Sequence, residues 1–170
     1  MDKTSRNIEI KAKVLNPEHF INKVNIISNS EGKEFSQVDV FFNVANGRLK
    51  LRKEKDDYCL IFYDRPDTDG PKLSKFNKCY VSDGEGLQTT LIAALGIKGV
   101  VKKLRRLFLI GQTRVHLDNV DGLGNFMELE VVLSQNESIE HGQKIANDLM
   151  TELGVEKDHL VSCAYIDLLL

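Results

Sequence analysis

Side chains able to handle a charged ligand recur along this sequence at a spacing of two. Lys50 and Arg52 form one pair, Lys103 and Arg105 a second, and Glu128 and Glu130 an acidic third. Glu9, Lys11 and Lys13 follow the same rule, as do Arg114, His116 and Asp118. On a strand, residues two apart point to one side and lie roughly 7 Å from each other. Like charges that close repel unless a ligand or metal sits between them. The chemistry this suggests is anion binding beside a cation site. Arginine grips phosphate oxygens in pairs, and lysine adds a point charge. Paired carboxylates suit an oxygen-seeking ion such as Mg²⁺ or Mn²⁺.

Such side chains need a sheet to carry them. Period-two alternation predicts strands over residues 6–14, 38–44, 48–52, 58–63, 78–81, 100–110, 112–118 and 126–133. In the first, Ile8, Ile10, Ala12 and Val14 share one face, opposite Glu9, Lys11 and Lys13. Asn46-Gly47 reads as a hairpin turn, and Gly111 and Gly122-Leu123-Gly124 as turns between later strands. Helices are expected from Asn16-Pro17 to about Ile27, from Glu85 to Leu95 before Gly96, and from Glu137 to Leu153 before Gly154. Residues 162–170 read as a final docked helix.

An antiparallel sheet with one solvated face shows similar alternation. Lys102 and Arg106, which face away from Lys103 and Arg105, are ordinary surface residues on this pattern. The segregation of charge argues for an enclosed face instead. About eight strands suffice to close a barrel around a ligand. Its lumen would hold up to eight bases (Lys11, Lys13, Arg48, Lys50, Arg52, Lys103, Arg105, Arg114) and four acids (Glu9, Asp118, Glu128, Glu130). The expected fold is therefore α+β: a closed antiparallel β-barrel of about eight strands forming a charged tunnel, flanked by helices. A single domain is expected over residues 1–170. His116 reads as a polar wall residue. Phe41, Phe42, Phe62 and Phe108 read as core or barrel wall.

Composition sets the remaining bounds. A net charge of −2 over 170 residues excludes a global basic field for nucleic acid. Three widely spaced cysteines, Cys59, Cys79 and Cys163, make neither a disulfide framework nor a zinc motif. They suit the reduced state of a cytoplasmic protein. The opening Met1-Asp2-Lys3 runs toward the first strand with no apolar signal region. No apolar run approaches the roughly 20 residues needed to span a bilayer, so a membrane partner is not expected.

Ile8-Glu9-Ile10-Lys11, Leu49-Lys50-Leu51-Arg52, Lys103-Leu104-Arg105 and Leu117-Asp118 ahead of Gly122-Leu123-Gly124-Asn125-Phe126-Met127-Glu128-Leu129-Glu130 occur in that order. Together they resemble the CYTH superfamily of triphosphate tunnel metalloenzymes, and most of all its class IV adenylyl cyclase-like branch. The resemblance implies metal-carboxylate roles for Glu9, Glu128 and Glu130, with Asp118 nearby. It implies phosphate-binding roles for Lys11, Lys50, Arg52, Lys103 and Arg105, with Arg114 and Arg65 as weaker candidates. The family signature begins Glu-x-Glu-x-Lys, and here Asn7 stands in the first position. Tyr165 occupies the region where some thiamine triphosphatases carry a lysine.

The resemblance implies a Mg²⁺- or Mn²⁺-dependent triphosphatase acting on ATP, tripolyphosphate or thiamine triphosphate, as a monomer or homodimer. A class IV-type adenylyl cyclase and a non-catalytic polyphosphate-binding module are the alternatives. Removing one base, as in Arg52→Ala, is expected to relieve repulsion in the empty barrel.

Overall fold

The first strand, β1 (Ser5–Lys13), alternates between two very different environments. Ile8, Ile10 and Ala12 are at most 1% exposed and point outward, beneath helices. Asn7, Glu9 and Lys11 point inward, to the lumen. The polar face is thus the inside of the molecule, and the apolar face is its outer wall. A one-residue slip would exchange the two, so the alternation itself fixes the register.

The computed structural model describes residues 4–170, and the reading of Met1-Asp2-Lys3 falls outside them. After β1 come α1 (Pro17–Ser28), β2 (Lys33–Phe42), β3 (Arg48–Glu54), β4 (Asp57–Asp64) and β5 (Lys72–Val81). Then follow α2 (Gly84–Leu95), β6 (Ile97–Ile110), β7 (Thr113–Val120), β8 (Gly124–Leu133), α3 (Ile139–Glu152) and α4 (Tyr165–Leu169). The eight strands close in the order β1-β5-β4-β3-β2-β6-β7-β8, and β8 pairs with β1. Every pairing is antiparallel.

Helices cover the apolar outer wall. Phe20 and Val24 of α1 and Ala146 and Leu149 of α3 pack on Ile8, Ile10, Val115, Leu129 and Val131. The approach of α3 is close, since a Cβ on Gly142 would come within 2.6 Å of Ile8 Cγ1. Leu87 and Leu91 of α2 cover Val40, Phe42 and Leu51 on the other side. Asn16, Asp83 and Ser138 cap the three long helices through their side chains. Gly96 and Gly154, with φ of 76° and 69°, end α2 and α3 in a backbone region that favours glycine.

Two strands start at least five residues earlier than the alternation predicts. β2 begins at Lys33 rather than Val38, and β5 at Lys72 rather than Lys78. Lys33–Gln37 is mostly polar and lacks a clear strand signature, yet it pairs with Lys103–Leu107 of the 14-residue β6. The long partner imposes the strand. Phe62 is 37% exposed, so it is a surface residue of β4 rather than core. Among the described residues, no helix is long and apolar enough to cross a membrane.

Candidate functional site

The lumen is a cavity open to solvent and lined by residues from all eight strands, β7 contributing Arg114. Eight cationic side chains (Lys11, Lys50, Arg52, Arg65, Lys78, Lys103, Arg105, Arg114) and four anionic ones (Glu9, Asp39, Glu128, Glu130) line it. The excess of four positive charges suits a multiply charged anion.

One wall, built by β2, β3 and β6, is basic around a single acid. Asp39 is 1% exposed and accepts from Arg52 Nε and Nη2, each at 2.8 Å, and from Lys50 Nζ at 3.1 Å. Lys103 Nζ stands 3.7 Å from the same carboxylate. Burial alone would raise the Asp39 pKa, but Arg52, Lys50 and Lys103 outweigh it and hold the carboxyl well below its ordinary range. Burial, reinforced by Arg105, lowers Lys103 to about 7 despite Asp39. The repulsion between Lys50 and Arg52 is therefore answered from within the chain. Sequence reasoning expected a ligand or metal in that role and missed Asp39. Its signal was present in the alternation of Gln37, Asp39 and Phe41.

The other wall, built by β1, β7 and β8, is acidic. Register sets Glu9 beside Glu130, and places both Lys11 and His116 beside Glu128. Arg65 Nη1 donates to Glu9 Oε2 at 2.8 Å, and Arg114 Nε donates to Glu130 Oε2 at 3.0 Å. Burial and the neighbouring Glu130 raise the Glu9 pKa, against the pull of Arg65. Burial also works against Glu128, but Lys11, Arg105 and Lys103 prevail and hold it well below the usual carboxylate range. His116 is 4% exposed, and burial with help from Arg105 lowers its pKa to about 4, so the ring is neutral at pH 7.

The chain's last segment closes one side of the lumen. Tyr165 is buried, donates its hydroxyl to Asp118 Oδ2 at 2.8 Å and lays its ring 3.9 Å from Lys11 Nζ. Lys11 Nζ also donates to the Cys163 carbonyl at 3.2 Å. Arg105 holds Asp118 through two bonds of 2.7 and 2.8 Å. Asp118 is thus fully enclosed, engaged on both oxygens, and does not line the cavity.

The structure brings Glu9, Lys11, Lys50, Arg52, Lys103, Arg105, Arg114, Glu128 and Glu130 together around the cavity. It does not bring Asp118 into the acidic cluster. Lys13 turns to solvent where β1 ends. Arg48 is tied to Asp67 at 2.8 Å and Asp167 at 2.7 Å, off the cavity. Arg65 and Lys78 enter instead. Arg65 lies in the irregular stretch after β4, where alternation carries no information.

A divalent ion fits the acidic wall. One ligand atom each from His116, Glu128 and Glu130 lie within 4.8 Å of one another. Asn7 Oδ1 and His116 Nδ1 are buried without a hydrogen-bond partner among the described residues. Carboxylate and amide oxygens are the donors that Mg²⁺ and Mn²⁺ accept.

The family model for the CYTH domain matches residues 5–165. The chain belongs to the CYTH family. A Methanocaldococcus jannaschii protein, provisionally named an adenylate cyclase, is 24% identical and aligned over 95% of this chain and 97% of its own. The PH1012 protein of Pyrococcus horikoshii superposes with a TM-score of 0.81 at 25% identity, covering 95% and 98% of the two chains. A Vibrio parahaemolyticus structure, also provisionally named an adenylate cyclase, gives 0.78 at 17% identity, covering 96% and 97%. As a CYTH chain this protein carries the family's charged barrel, with Asn7 where the signature begins.

Proposed function

We propose that this CYTH protein hydrolyses a small-molecule triphosphate with the help of Mg²⁺ or Mn²⁺. The observation that carries the reading is the opposition of the two walls. Strands β3 and β8 stand four places apart in the ring of eight, so Lys50 and Arg52 face Glu128 and Glu130 across the lumen. A phosphate chain laid between them meets cations on one side and an ion site on the other.

Lys50, Arg52, Lys103 and Arg105 bind the non-bridging oxygens and orient the chain. Lys11 reaches the same space from beside Glu128. Glu128 and Glu130 hold the ion, with Glu9 adjacent. Asp118 is omitted because both its oxygens are taken. A bound divalent ion supplies charge neutralisation on the phosphate oxygens. Glu9 Oε2 is held by Arg65; Glu9 Oε1 then accepts the proton of the water that attacks the terminal phosphorus, a task its raised proton affinity favours, as the bridging P–O bond breaks and the diphosphate part leaves. The three free cysteines support a cytoplasmic location.

A second reading, cyclisation of ATP, has its own support. Phe41, Ile61, Tyr63 and Phe76 line an apolar flank of the cavity, where a nucleoside base could lie beside Lys50. Relatives provisionally named adenylate cyclases point the same way.

The test is incubation with ATP, tripolyphosphate and thiamine triphosphate, each with Mg²⁺ or Mn²⁺, and resolution of products. Orthophosphate release is the expected result. Cyclic AMP with pyrophosphate selects the cyclase, and tight binding without turnover selects a non-catalytic module. Glu128→Gln should abolish turnover; full activity in that variant overturns the metal assignment.

A further inference from the structure

We infer that His116 is a direct ligand of the divalent ion, making this a mixed nitrogen and oxygen centre that prefers Mn²⁺ over Mg²⁺. The inference rests on the reading that Glu128 and Glu130 hold an ion, and extends it to the identity of that ion.

Three observations place the imidazole there. β7 presents residues 114, 116 and 118 inward, while Val115 and Leu117 sit in the outer core. Register sets His116 directly opposite Glu128, two residue pairs from Glu130 on the same face. A ligand nitrogen of His116 and one oxygen of each glutamate lie within 4.8 Å of one another, a spread that one ion can bridge.

The fourth observation points to a ligand independently of the acids. His116 Nδ1 is buried and has no hydrogen-bond partner among the described residues. Its nearest acidic oxygen, Glu130 Oε1, is 3.7 Å away, beyond hydrogen-bond range. A buried ring nitrogen without a partner is costly and rare. In the neutral ring one nitrogen carries a lone pair, and an imidazole set between two carboxylates has a use as a metal donor.

Donor chemistry then sets the preference. Mg²⁺ is hard, takes oxygen and gives up its waters reluctantly. Mn²⁺ shares the taste for oxygen, but as a transition ion it tolerates an imidazole nitrogen in its shell better than Mg²⁺ does. Position 7 strengthens the case. Asn7 contributes no charge there, so this chain has fewer acids with which to attract Mg²⁺.

Mn²⁺ titration of the whole protein without substrate, followed by electron paramagnetic resonance, tests this directly. The wild type should bind Mn²⁺ with pulsed-resonance coupling to an imidazole nitrogen, and excess Mg²⁺ should displace it poorly. His116→Ala should lose that coupling and weaken Mn²⁺ at least about tenfold, the low end of losses from removing even an outer partner of a metal ligand. His116→Gln keeps a polar oxygen in the same place and guards against misfolding. It should lose the coupling too and shift the Mn²⁺-to-Mg²⁺ preference toward Mg²⁺. His19, His141 and His159 remain in both variants, so coupling that persists is not from His116 and overturns the proposal. Mn²⁺ binding that depends on Glu128 but shows no nitrogen coupling also overturns it, while leaving the carboxylate site standing. No Mn²⁺ binding by the wild type overturns both.

Discussion

The two walls of the tunnel solve opposite problems with different completeness. The basic wall plants one acid, Asp39, among three cations, and every oxygen of that acid is bonded. The acidic wall plants Arg65, Arg114 and Lys11 among three glutamates, yet leaves Asn7 Oδ1, His116 Nδ1 and Arg65 Nε and Nη2 without partners among the described residues. Buried polar groups are ordinarily paired, and unpaired ones concentrate where function needs them. The basic wall is therefore self-contained in its charges, which a ligand must compete for, although Gln37 Oε1 of β2 is also left without a partner among the described residues. The acidic wall is arranged for something further to bind.

The sharpest way to break this contrast is to remove the acid of the basic wall. Asp39→Ala leaves Lys50, Arg52 and Lys103 buried against one another. Loss of one partner of a buried ion pair costs about 3–5 kcal/mol, so urea unfolding should show a loss of that order at pH 7. Tripolyphosphate should restore part of it by replacing the missing charge. The sign with pH follows from the depressed Asp39 pKa. Its contribution is present above the unfolded value near 3.8 and fades as pH falls toward the folded value. The destabilisation by Asp39→Ala should shrink correspondingly in acid. An Asp39→Ala protein as stable as wild type at pH 7 would sink the self-contained basic wall.

Arg52→Ala gives the next largest effect, and here the structure reverses the expectation from sequence. Arg52 makes two bonds of 2.8 Å to Asp39, so its removal strips a partner from a buried carboxylate instead of relieving repulsion. The empty protein should lose about 2 kcal/mol, the scale of hydrogen bonds to charged groups. Triphosphate binding should weaken as well. A higher melting temperature for Arg52→Ala without ligand would restore the simpler view of mutual repulsion.

What the sequence reveals about these walls follows from periodicity. Each inward residue of β1, β3, β6 and β8 is legible because alternation separates Glu9 from Ile8 and Ile10, or Lys50 from Leu49 and Leu51. Eight antiparallel strands and a closed charged barrel follow from the same pattern. Pairing across strands is not legible. Asp39 meets Arg52 and Lys103 only through register and barrel closure. Asp118 faces inward as its spacing requires, but Tyr165 reaches it across 47 positions of sequence and removes it from the acidic cluster. Arg65 sits in a stretch without period, so only the fold reveals that it grips Glu9.

The smallest effect is one of protons, and it separates the walls by their titration. Lys103 sits near 7 in the empty barrel because burial and Arg105 disfavour its charge. That depressed value costs the folded state charge stabilisation below its ordinary 10.5, so Lys103 makes the empty barrel more stable as pH rises from 7. A bound triphosphate favours the charged form and raises the value again. At pH 8, where free Lys103 is mostly neutral, binding should take up close to one proton more in wild type than in Lys103→Met. Calorimetry in two buffers of different ionisation heat measures that difference, and subtracting the variant removes protons carried by the ligand. Wild-type affinity should fall about tenfold per pH unit above 7 until the bound-state value is reached, while the variant stays flatter. Equal proton uptake by the two proteins would mean that the anion does not rest on Lys103.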